Sequence, residues 1–142
     1  MQHKYLKKEK EYLENFKATS IDLSSFHHKE HIQITYTLLI DNSINNTYLC
    51  IKNGILNILK SLDIDTSKYH ETMTYAWILI VKSFMNNTQE CNNFEEFISK
   101  NKMLLDTDIL YKYYSTKLLQ TEKARIQILN PDVENISIKE YI

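Results

Sequence analysis

The chain has 142 residues, of which 43% are hydrophobic and 25% charged, with a net charge of -1. That is enough for one domain around a single sizeable core, and it excludes a nucleic-acid binder working through a strong basic field. One Gly and one Pro in the whole sequence exclude a hairpin-rich sheet, whose tight turns need positive φ, and favour helices joined by Asn-, Asp- and Ser-rich turns.

The expected architecture is all-α, a single-domain irregular bundle of about six helices over 1–142, with a core at 3–130 and a strap at 131–142. Residues 3–18 read as helix one, with Tyr5, Leu6, Tyr12, Leu13 and Phe16 as its apolar positions. His3 falls in a terminus expected to fray. Ser24 and Ser25 are the candidate N-caps of helix two, Phe26 to Asp41. At about 100° per residue, His28, His31, Ile32, Thr35, Leu38 and Leu39 share one stripe of it. A turn at Asp41–Asn46 leads to helix three, 47–62. Its internal Gly54, which lowers helix stability by about 1 kcal/mol relative to Ala, marks a close helix crossing. After a turn with Thr66 or Ser67 as cap, helix four covers 68–86, with His70, Met73, Thr74, Trp77, Val81 and Phe84 inward. Shorter helices are expected at 93–100, 106–114 and 121–129, and Pro131-Asp132 ends the regular structure.

The apolar run Ala76–Val81 is far too short to span a bilayer, and the N-terminus lacks the apolar stretch of a signal peptide. Cys50 and Cys91 show no Cys-x-x-Cys spacing, so a reducing, cytoplasmic setting is expected, with no nucleic-acid or membrane partner.

Short loops make consecutive helices antiparallel, so helices two and four are parallel and their N-termini share one end of the bundle. His28, His31 and His70 then point into a common interior, with Thr35 and Thr74 one turn below. Buried polar groups need partners. Helix N-termini disfavour imidazolium and keep these rings in the metal-binding form. This predicts a metal site with His28, His31 and His70 as ligands and Glu71 as a fourth ligand or general base, suited to zinc or iron. Thr74 would hydrogen-bond behind the ligands. The same positive ends attract anions, which supports a second reading: a metal-free module for a small anionic molecule. A third is a structural or partner-binding protein whose histidines only specify the core. The residues leave open whether the chain is an enzyme. His27-x-x-Glu30-His31 also matches the H-x-x-E-H pattern of inverted zinc proteases, but Glu30 projects about 100° from His31, toward the polar face.

Phe26, His28 and His31-Ile32, then Gly54-Ile55, Tyr69-His70-Glu71-Thr72 with Thr74, Tyr114-Ser115, Ala124-Arg125 and Pro131-Asp132 occur in that order. Together they resemble a family of small helical bacterial proteins to which no activity is attached, over about residues 16–132. The resemblance pairs His28, rather than His27, with His31. It implies that Tyr114, Ser115 and Arg125 belong to the same pocket: Tyr114 as donor to an oxyanion, Arg125 as clamp on a carboxylate or phosphate.

Overall fold

The computed structural model describes residues 3–138. Seven α-helices follow one another: α1 (Lys7–Lys17), α2 (His28–Asp41), α3 (Ile44–Ser61), α4 (Glu71–Asn86), α5 (Phe94–Lys100), α6 (Thr116–Leu119) and α7 (Glu122–Ile126). Short 3-10 segments lie at Leu23–Ser25, Thr66–Lys68, Lys102–Leu105 and Thr107–Lys112, and no strand occurs among the described residues. None of the helices found there is long and apolar enough to cross a membrane. The bundle is all-α, as expected, around one core that includes Phe16, Tyr36, Ile51, Ile78, Phe94, Phe97 and Tyr114.

Side-chain caps fix the helix ends, and they differ from several expected ones. Ser43 Oγ accepts from the Asn46 amide at 3.1 Å, so α3 starts three residues before the expected 47. Neither Ser24 nor Ser25 caps α2; the N-cap is His27, whose amide donates to Glu30 Oε1 at 3.0 Å. That bond occupies the carboxylate proposed as a protease base, and His27 is exposed. Asp65 caps the Thr66–Lys68 turn, accepting from the Ser67 amide at 2.9 Å. Three residues expected at the start of helix four thereby become the turn before α4. The expected helix at 106–114 is a 3-10 segment, and 121–129 shortens to α7.

Helix one begins at Lys7, not residue 3, because residues 3–6 dock as an extended arm. His3, expected to fray, is buried with Nε2 at 2.9 Å from the Met85 carbonyl and its ring edge-on to Tyr36 and Phe97. The Lys4 amide donates to the Cys91 carbonyl at 2.8 Å. Buried Glu9 accepts the amides of Leu6 and Phe94, tying the arm and the N-terminus of α5 together.

The Gly54 expectation holds in a specific form. A Cβ there would lie 2.2 Å from Cζ of Phe16, whose ring is fully buried. Gly54 is thus the slot that lets α1 cross α3. Residues 131–138 lie outside the regular helices and are tied back to the body. Asp132 accepts from Ser115, the Val133 amide donates to the Tyr113 carbonyl, and Asn86 Nδ2 donates to the Ile138 carbonyl at 2.7 Å. Residues 139–142 of the expected strap lie outside the described residues.

Candidate functional site: a cavity beside His31

His31 in the first turn of α2 and His70 at the N-cap of α4 line one cavity of about 340 Å³. The N-termini of α2 and α4 therefore share one end of the molecule, as the loop lengths predicted. Ile55 and Leu59 of α3 and Met73 and Trp77 of α4 form the apolar wall, and Lys68, Tyr69 and Thr74 join the two imidazoles as the polar part. The volume sits at the small end of those that hold organic ligands.

The three histidines do not form a ligand set. Among the described residues, no group of three or more His, Cys, Asp or Glu side chains is placed to hold a metal ion. The hydrogen bonds give the reason. His28 turns away from the cavity, its Nε2 donating to the Leu104 carbonyl at 2.9 Å and its ring edge-on to Trp77 at 4.6 Å. His70 has both ring nitrogens engaged: Nδ1 accepts the Met73 amide at 3.1 Å, and Nε2 donates to the Leu119 carbonyl at 2.8 Å. His70 is a helix cap and a tie to the end of α6. The predicted zinc or iron centre, with Glu71 as fourth ligand, is corrected on these grounds.

His31 differs from both. The residue is half-buried, but its Nε2 is fully buried and meets no partner among the described residues. Burial, with His28 close by, pushes its pKa down to about 4, so the ring is neutral at physiological pH. The threonine hydroxyls one turn below do not partner these rings. Thr35 Oγ1 donates to the carbonyl of His31 and Thr74 Oγ1 to that of His70, both at 2.9 Å and one turn back along their own helices.

Glu71 is the hub of a neighbouring network. Lys52 Nζ lies 2.8 Å from Oε2, and Tyr69 donates to Oε1 at 2.9 Å beside a short bond from Tyr48. Burial opposes ionisation of Glu71, but Lys52, Tyr48 and Tyr69 outweigh it and hold the pKa below the ordinary carboxylate value. The same carboxylate adds to burial in raising the pKa of Tyr69. Tyr69 thus joins the cavity wall to a partly exposed α3–α4 ion pair.

The residues implied by the resemblance lie elsewhere. Tyr114 is buried, its hydroxyl donating to the Leu129 carbonyl at 3.0 Å, and burial with Asp132 nearby pushes its pKa up to about 12. Ser115 caps α6, accepting the Leu118 amide at 3.0 Å and donating to Asp132 Oδ2 at 2.6 Å. Arg125 is outside the cavity, but its Nη1 donates to the Lys68 carbonyl at 3.1 Å, at the rim. Thr72, also in the motif, donates to the Gln127 carbonyl at 2.6 Å and accepts the Leu129 amide at 3.1 Å. The Tyr-His-Glu-Thr stretch therefore joins α4 to α3 and to the C-terminal segment.

Sequence reasoning missed Lys68, Tyr69, Ile55 and Leu59 as cavity residues and read Trp77 as plain core. The available signal was spacing: Met73 and Trp77 lie four apart on α4, one above the next. Comparison with protein families, curated proteins and solved structures finds no match.

Proposed function

We propose that the protein is a metal-free binding module for a small, largely apolar molecule that carries a neutral hydrogen-bonding group. The observation that carries the reading is on His31, which lines a ligand-sized cavity while its Nε2, closed off behind the cavity wall, has no partner among the described residues. An unmade buried hydrogen bond destabilises a fold by about 1–3 kcal/mol. A ligand that shifts the His31 ring enough to reach this nitrogen supplies the partner and recovers that energy while burying apolar surface against Ile55, Leu59, Met73 and Trp77. The metal-free reading is supported by the bonds that take up Nε2 of His28 and both ring nitrogens of His70. For these two, the structural role weighed from the sequence is the better supported. The family resemblance stays a proposal of the same kind, and a reducing, cytoplasmic location fits the two free thiols.

The test is a screen of compact, mostly apolar fragments, read by the fluorescence of Trp77, the single tryptophan of the chain, which lines the cavity. Saturable hits that His31→Leu weakens at least about tenfold, with its helical circular dichroism intact, are expected. Hits bound equally by His31→Leu, or no saturable hit, would contradict the reading.

A further inference from the structure

We infer that the ligand of this cavity is an apolar-bodied monoanion, such as a hydroxyl-bearing aromatic carboxylate, whose charged head sits at the rim against Lys68 and whose neutral hydroxyl faces His31; this rests on the binding reading above. Lys68 is the only Lys, Arg, Asp or Glu among the residues lining the cavity, and none of the ion pairs among the described residues includes it. Its backbone is held in place, because Asp65 caps the turn that carries it and Arg125 Nη1 donates to its carbonyl. Arg125 therefore adds a second positive charge beside the mouth.

The acids nearby do not cancel this field. The Glu71 carboxylate is paired with Lys52. Asp65 is exposed and its carboxylate is turned to the Ser67 amide; it feels the Lys68 charge only as the smallest of the influences on it, so it offsets part of a field to which Arg125 also contributes. A cationic ligand would meet Lys68 and Arg125. A multiply charged anion would find one lysine and a mostly apolar wall, leaving much of its charge unpaired. A single charge outward and an apolar body inward match both parts. With the head outside, the polar group facing His31 is neutral, as a neutral imidazole requires.

4-Hydroxyphenylacetate, its uncharged isostere 4-hydroxyphenylacetamide, and inorganic phosphate are the probes, each titrated against Trp77 fluorescence in the intact chain. 4-Hydroxyphenylacetate should bind saturably, 4-hydroxyphenylacetamide at least about fivefold more weakly, and phosphate not at all. Lys68→Gln, a change at an exposed turn, should bring acid and amide to equal affinity, and added salt should weaken only the acid. Equal binding of acid and amide, or an unchanged acid affinity in Lys68→Gln, overturns the anion inference and leaves the binding reading standing. Silence from carboxylates ranging from isobutyrate to naphthoate, with neutral fragments still bound, does the same. Silence from carboxylates and neutral fragments alike overturns both.

Discussion

Three histidines on apolar stripes end in three different situations. His28 and His70 have backbone carbonyl partners, at Leu104 and Leu119, while the Nε2 of His31 has none. The first two partners come from segments 76 and 49 residues away in the chain. No helical-wheel argument reaches that far, so the stripe correctly marked the rings as inward but could not say what they meet. The depressed His31 pKa makes this testable. In the unfolded chain the ring takes a proton near its ordinary value of 6.5, and in the folded protein only near 4. Between those values the unfolded state binds more protons, so this term is fully present above about 6.5 and shrinks as pH falls toward 4. The loss attributable to His31 should total about 3 kcal/mol. Urea denaturation of the native chain and of His31→Leu across that range checks it. The variant should be as stable or more so at neutral pH, with a flatter pH dependence. Parallel curves would contradict the assignment.

At the scale of elements, existence and type were legible, and ends were not. The apolar periodicities of α2, α3 and α4 located each helix. Their starts depended on which polar side chain caps, and Ser43, Asp65 and His70 each compete with neighbours of equal capping ability. The weakest readings were 106–114 and 121–129, where short segments are set by tertiary contacts and adopt 3-10 or single-turn forms. Gly54 shows the opposite case, in which one residue announces a helix crossing. Propensity alone says that Gly54→Ala should stabilise α3 by about 1 kcal/mol. The buried Phe16 ring 2.2 Å from the added carbon reverses the sign. Chemical denaturation should show Gly54→Ala destabilised by about 1–3 kcal/mol, as for overpacked cores. A stabilised variant would mean that the α1–α3 contact is looser than described.

Across the whole molecule, the motifs that pointed to a single pocket divide between two tasks. His31, Tyr69, His70 and Thr74 line the cavity. Glu71, Thr72, Tyr114, Ser115 and Asp132 close the fold by tying α4 and the C-terminal segment to the rest, over separations such as the 55 residues from Thr72 to Gln127. An ordered string of polar residues looks the same in sequence whether it holds a ligand or the chain's own backbone. Only the count of available hydrogen-bonding atoms separates them; among the described residues that count leaves four buried side-chain atoms open, on His3, Tyr12, His31 and Thr47, and of these four residues only His31 lines the cavity. The most direct measurement is nitrogen NMR of the imidazole rings, with and without a compound that shifts Trp77 fluorescence. The account predicts that the free protein keeps the His31 ring neutral at pH 5.5, well above its folded pKa of about 4. It also predicts that the compound moves a His31 ring nitrogen while leaving those of His28 and His70 in place. A His31 ring that titrates near 6.5, the ordinary value, or one that stays unmoved while Trp77 responds, would contradict it.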